Sequence, residues 1–287
     1  MEKEQAQAYE KAFLIAGDAV GFAERLVKEN ARILDIADTI EKRVIELGGK
    51  PAWPVNISVN EIAAHATPSI NDDNALEEGD MVKIDIGVHV NGYICDRAFT
   101  ICIGKKSHPM IEASEKALEN ALKMFKHGTK VSEVSEVIEN TVNDAGFKVI
   151  RNLTGHRLER HEQHAHPSIP NIKNSMQDEI ESGNVYAVEV FVTDGSGFVV
   201  DSSPSRIFQY RKDSPVRLWE ARKVLEMAVN DFEKLPFTQR WITGVSPLKM
   251  DMALRQLIEV GAIAEYPPLK EESNALVAVA EKSVIVK

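Results

Sequence analysis

The sequence predicts an α+β protein made of two similar halves, with a helical block inserted late in the chain. Three observations predict this. The first fifty residues carry helical periodicity, residues 82–103 read as a β-hairpin, and one ten-residue pattern occurs twice, at 76–85 and 180–189.

From Gln5 to about Leu47 apolar residues return every three or four positions (Ala12, Ile15, Ala16, Val20, then Ile33, Ile36, Ile40, Val44) until Gly48 and Gly49 end the run. That period belongs to one long helix or two consecutive ones. The prolines at 51 and 54 hold an extended loop, and residues 60–68 read as a short connector. Val82, Ile84, Ile86 and Val88 then alternate with Lys83, Asp85, Gly87 and His89, and Asn91-Gly92 is a two-residue turn into a second strand over 93–103. Residues 109–126 and 131–145 are amphipathic helices, whereas the polar, His-rich stretch 152–167 has no clear period. After Asp201 helices are expected over 215–234 and 247–260, followed by Tyr266-Pro267-Pro268 and a closing strand over 275–287.

The repeated pattern is apolar, Glu, any, Gly, Asp or Asn, apolar, two of any kind, apolar, acid. It delivers Asp85 and Glu189 to the same strand position, 104 residues apart. Each copy is followed by a Gly-containing turn (Asn91-Gly92, Asp194-Gly195) and, on this reading, a second strand. Two halves facing one another would bring the acids together.

Composition limits the function. With 34 Lys+Arg against 44 Asp+Glu the chain of 287 residues has a net charge of −10 and no long basic run, which argues against nucleic acid or anionic membrane as a partner. No apolar run approaches the roughly 20 residues of a membrane span. Two cysteines, Cys95 and Cys102, are too few for a secreted disulfide framework, and the charged start of the chain is unlike a signal peptide, so a cytoplasmic location is expected.

The hairpin register places Gly87 opposite Asp96 and Asp85 opposite Ala98, so Asp85 and Asp96 are diagonal neighbours about 7 Å apart on one face. They can share a cation there, with Gly87 leaving room for it, or face solvent. Glu189 and Glu281 lie in apolar runs typical of buried strands, where an unpaired carboxylate is costly; a strand Glu facing water is the other reading. His156, His161, His164 and His166 fall within eleven residues, and with no cysteine among them they cannot form a closed structural zinc site. His65 by itself reads as a core or helix-end residue. Oxygen-rich ligation with an imidazole suits first-row divalent metals, and four carboxylates balance two dications better than one. Such a pair can activate water and polarise a carbonyl.

The order Asp85, Asp96, His156, Glu189, Glu281, in the contexts PAWPVN, NEIAAHATP, KIDIGVHVNGYICDRAFT, NLTGHRLERHEQHA, YAVEVF and EYPPL, resembles the methionine aminopeptidases over nearly the whole chain. The 91 residues between Glu189 and Glu281, with a helical block at about 210–268, resemble the type 2 enzymes, and without a eukaryote-like charged N-terminal extension the chain resembles their archaeal form. The resemblance implies a pita-bread fold, two pseudo-symmetric halves around an antiparallel sheet. It places the catalytic domain at 1–209 and 269–287 and a helical, winged-helix-like insert at 210–268, taken here as a wall of the peptide groove. It implies two divalent ions (Co, Mn, Fe or Zn) held by Asp85, Asp96, His156, Glu189 and Glu281, and removal of the N-terminal methionine of nascent chains with a small second residue by a dimetal-bound hydroxide. Glu189 would be general base and acid, His164 would bond the scissile amide, and His65 would match the histidine that fumagillin-type epoxides alkylate. Trp53, Phe191 and Tyr266 would line the methionine pocket. A monomer working close to the ribosome is expected.

The chain departs from the family's usual Gln-Phe-Glu-His-Thr around the last ligand, having Val279, Ala280, Glu281, Lys282 and Ser283. Changed surroundings of a ligand typically cost 10- to 100-fold in affinity or activity. Trp53 also replaces a more usual Phe. The competing readings are an inactive pita-bread scaffold that binds proteins, and an aminopeptidase P or prolidase, which would need a longer segment than the 84 residues before Asp85.

Overall fold

The computed structural model describes residues 2–287. The opening helical period is realised as two helices, α1 (Lys3–Ala23) and α2 (Ile33–Glu46), with Gly48 at φ 82° closing the second. Three short strands, β1 (Lys50–Pro51), β2 (Asn56–Val59) and β3 (Ile62–Ala64), lead to the long hairpin β4 (Met81–Val90) and β5 (Tyr93–Cys102). Helices α3 (Pro109–Leu122) and α4 (Val131–Asp144) follow. The chain continues through β6 (Lys148–Val149), β7 (Thr154–Glu159), β8 (Glu162–Pro170), β9 (Val185–Thr193), β10 (Val199–Asp201) and β11 (Ile207–Tyr210). The last third holds α5 (Trp219–Asn230), β12 (Phe237–Thr238), a 3₁₀ turn (Gln239–Trp241), α6 (Pro247–Glu259), β13 (Ile263–Tyr266), β14 (Leu269–Glu271) and β15 (Val277–Ile285).

Nine strands form one antiparallel sheet whose main path runs β1-β4-β5-β15-β9-β7-β8. Its two halves meet where β5 pairs with β15. Alternation decides what each face carries. On β4, Val82, Ile84, Ile86 and Val88 pack into one core with Ala12, Ile15, Ala16 and Ala19 of α1 and Ile36 and Ile40 of α2. On β9, Tyr186, Val188, Val190 and Val192 pack into a second core with Met110, Ala113 and Ala117 of α3 and Val134 and Ile138 of α4. Two helix pairs thus cover one face, and Asp85 and Glu189, one residue out of phase with the apolar rows, point to the other.

Three expectations are corrected by the structure. The repeat holds for the turn, the strand and its acid, but the strand after Asp194-Gly195, β10, pairs with β14 in a separate three-stranded sheet. The partner that mirrors β5 is β15, from the end of the chain. The His-rich stretch is a hairpin, β7 and β8, turning through His161 at φ 58°; bulges in its pairing hide the two-residue period. The late block is not purely helical either, because α5 and α6 pack on a three-stranded sheet ordered β12-β11-β13.

Arg240 fastens this late block to the first half, alongside the Lys50–Glu233 ion pair. Arg240 donates to both oxygens of Glu41 (2.9 and 2.7 Å), to the Pro68 carbonyl (3.2 Å) and to Thr67 Oγ1 (3.2 Å), and Trp241 Nε1 donates to the same Glu41 (2.7 Å). Arg240 and Glu41 side chains are 5% and 7% exposed, so their attraction is little screened. Removing one member of such a pair strands the other in a dry site. Arg240→Met is therefore expected to lower unfolding free energy by about 3–5 kcal/mol in chemical denaturation, and a loss under about 1 kcal/mol would show that the pair is solvated.

Candidate metal centre

The hairpin register is as expected from its turn: Val90 faces Tyr93, Gly87 faces Asp96 and Asp85 faces Ala98. Across the seam Glu281 also faces Ala98, and one strand further it faces Glu189. Asp85, Asp96, Glu281 and Glu189 therefore project from four adjacent strands, with the small Ala98 between Asp85 and Glu281 leaving space for them. His156 on β7 completes the group: its Nε2 lies 3.3 Å from Glu189 Oε1 and 3.7 Å from Asp96 Oδ2.

The seam is held by two hydroxyl clips. Thr100 Oγ1 donates to the Val279 carbonyl (2.7 Å) and accepts from its N–H (2.8 Å), and Ser283 Oγ donates to the Asp96 carbonyl (3.0 Å) and accepts from its N–H (2.8 Å). The Ser283 that stands where the family usually has Thr keeps the hydroxyl this clip needs. Lys282, exposed on the opposite side of β15, neutralises nothing in the site.

One cavity is lined by all ten residues singled out from the sequence: Trp53, His65, Asp85, Asp96, His156, His164, Glu189, Phe191, Tyr266 and Glu281. His65 follows β3 at φ 61° and stacks edge-on against Tyr266, with ring centroids 5.5 Å apart. His164, on β8, is edge-on to His156 at 4.7 Å. His161 and His166 lie elsewhere, the first near Glu233 and the second, exposed, 2.8 Å from Asp178. The room that Gly87 leaves is filled by the indole of Trp53, since a Cβ at 87 would come within 2.4 Å of the ring.

Sequence reasoning missed Lys83, Asn56 and Gln163, which also line the cavity. The signal for Lys83 was present in the alternation, because it shares the face of Asp85. Its Nζ donates to the carbonyls of Asn60 (2.6 Å) and Met81 (3.1 Å), and burial brings its pKa down to about 7.

The electrostatics call for a cation. Burial first, and then the other carboxylates, push Asp96 and Glu281 well above the usual carboxylate range. Burial lifts Glu189 to about 8 and Asp85 to about 7, the latter against hydrogen bonds from Trp53 and Asn56. The imidazoles of His156, His65 and His164 are pushed down to about 4, 4 and 3, foremost by burial, and are neutral at pH 7, as metal ligation requires. Asp96, His156 and Glu281 each offer a ligand atom within 4.8 Å of the others. Asp96 Oδ1 and Glu281 Oε1 are buried with no hydrogen-bond partner. A divalent ion would satisfy these oxygens, and the oxygen-rich set with one imidazole suits Mn, Fe, Co or Zn.

Residues 7–210 match metallopeptidase family M24. The chain is 44% identical over 286 residues to a methionine aminopeptidase of Thermococcus onnurineus, covering 99% of this chain and 97% of that protein. Among solved structures, a thermophilic Arx1 superposes with a TM-score of 0.88 at 16% identity, covering 99% of this chain and 88% of that one. A Thermotoga maritima methionine aminopeptidase superposes with a TM-score of 0.73 at 20% identity, covering 100% of this chain and 94% of that one. At such identities these two structures show the fold, two halves around an antiparallel sheet. Among the described residues no helix is long and apolar enough to cross a membrane.

The raised carboxyl pKa values fix the sign of a pH effect in metal-stripped protein. Acids that hold protons more tightly when folded favour the folded state at low pH; the three histidines with lowered values oppose this up to about pH 6.5, so the advantage is lost chiefly between about 6.5 and 8, through the folded values near 7 and 8. Calorimetry of stripped protein should show Tm falling as pH rises through that window, and Mn²⁺ should restore it. A Tm that is flat or rising over the window would mean the acids are already neutralised by the protein.

Proposed function

The chain belongs to metallopeptidase family M24, and from that premise we propose how it acts as a methionine aminopeptidase. The observation that carries the reading is the convergence of four carboxylates, Asp96 and Glu281 buried and Asp85 and Glu189 partly so, and a neutral imidazole on one cavity that Trp53, Phe191 and Tyr266 also line. We assign Asp85, Asp96, His156, Glu189 and Glu281 as ligands of two divalent ions. When bound, such ions supply Lewis acidity at the peptide carbonyl and lower the pKa of a coordinated water toward neutrality.

The remaining chemistry belongs to this chain's own side chains. Glu189 takes the proton of the attacking water on a carboxylate oxygen and returns it to the leaving amide nitrogen. His164, neutral and beside His156, donates a ring N–H to the scissile amide and supports the developing oxyanion. His65, across the cavity against Tyr266, holds the substrate backbone from the other side. Trp53, Phe191 and Tyr266 approach from three separate segments and offer aromatic faces to a thioether side chain.

We assign the domains on the same reading. Residues 1–209 and 269–287 supply the ligands, whereas residues 210–268 supply Pro236 and Tyr266 as a wall of the cavity. The resemblance to methionine aminopeptidases supports nascent or newly made proteins with a small second residue as the substrates. We place the enzyme in the cytoplasm as a monomer, near the ribosome that supplies those chains.

Metal-stripped protein incubated with Met-Ala-Ser should release free methionine only after Mn²⁺ or Co²⁺ is added, as read by mass spectrometry. Glu189→Gln should lower kcat by about 10²–10⁴-fold and His164→Ala by about 10²–10³-fold. No release with any metal would favour the inactive scaffold, with Val279 and Ala280 beside Glu281 as the first residues to revert.

A further inference from the structure

Trp53 stands where the apolar wall of the cavity meets a carboxylate. β1 leaves β4 at Pro51, opposite Val88, and β2 rejoins it at Asn56, opposite Asp85. Four residues, 52–55, thus span a stretch of β4 that contains only Ile86 and Gly87, so the loop bows away from the strand. The Ala52 N–H donates to the Gly87 carbonyl at 2.9 Å and anchors the start of the bow. The bow lays the indole across Gly87, where a Cβ would lie 2.4 Å from ring atom Cε2. Gly87 and Asp85 share a face, so the ring arrives beside the carboxylate. Trp53 Nε1 donates to Asp85 Oδ1 at 3.0 Å, and Asn56 Nδ2 donates to Oδ2 at 3.0 Å.

Asp85 is thereby distinguished from its neighbours. Both its oxygens are tied to protein donors, whereas Asp96 Oδ1 and Glu281 Oε1 have none. The Phe that the family usually has at this position carries no N–H and could not make the bond.

Resting on the metallopeptidase reading above, we propose that Trp53 is a positioning residue: its indole N–H orients Asp85 toward one of the two ions and couples that ion to occupancy of the methionine pocket. A side chain packing on the indole acts on the Nε1–Oδ1 bond, and by reciprocity the ion that Asp85 holds acts on the ring. Gly87 belongs to the same device, because any side chain there would lift the indole off the strand.

Calorimetric titration of metal-stripped protein with Mn²⁺ tests this with W53F and G87A, the first deleting the N–H and the second displacing the ring. Wild type should bind two ions in two steps. In W53F one step should weaken by roughly 10- to 100-fold while the other is unchanged, and G87A should weaken the same step. Free methionine should shift that step in wild type and leave it unmoved in W53F. Equal weakening of both steps, or no change in either, overturns the inference. A wild type that binds no Mn²⁺ overturns the metallopeptidase reading with it, whereas a wild type that binds two ions beside an unchanged W53F overturns the role of Trp53 alone.

Discussion

The structure depends on four carboxylates held side by side in one cavity at the seam between β5 and β15, Asp96 and Glu281 buried and Asp85 and Glu189 partly so. Isolated charges of one sign cannot be kept in a dry cavity without either protons or cations, so everything around the seam serves to hold this group together and leave it available to metal. The apolar rows of β4 and β9 put two helix pairs on the opposite face and fix which way the acids point. Ala98 and the hydroxyl clips of Thr100 and Ser283 let the two halves approach closely without an apolar side chain filling the site.

The same seam explains why the last strand matters as much as the first hairpin. β15 supplies Glu281 and lies between β5 and β9, joining the halves. Between β9 and β15 the chain makes a long excursion, and Arg240 on Glu41 brings that excursion back over the first half. Because the guanidinium also reaches Thr67 and Pro68, just beyond His65, the fastening that places the cavity's outer wall also steadies the loop bearing that histidine. The pocket is thus assembled from segments that are far apart in sequence.

Much of this was legible in the residues. Asn91-Gly92 set the hairpin register, and the register made Asp85 and Asp96 diagonal neighbours. The glycine turn repeated at 79 and 183 announced that Asp85 and Glu189 would occupy equivalent strand positions. What local pattern could not reveal was the partner of β9: a glycine turn after Thr193 reads as a hairpin, yet backbone pairing went to a strand more than eighty residues later. The bulges of the β7–β8 hairpin erased its period, and the strands among α5 and α6 are too short to register against the helices. Lys83 was in phase with Asp85 and was overlooked because a lysine is expected to face water.

The sequence by itself determined which residue types could form the site, the helix pairs, the first hairpin and its register, because turns and periodicity act over neighbouring residues. Only the tertiary structure decided that β15 would mirror β5, that the indole of Trp53 would take the space left by Gly87, and that Arg240 would bind the late block to α2. Those outcomes depend on burial and on hydrogen bonds between distant segments, and a local pattern carries no record of which distant donor will meet a buried acceptor.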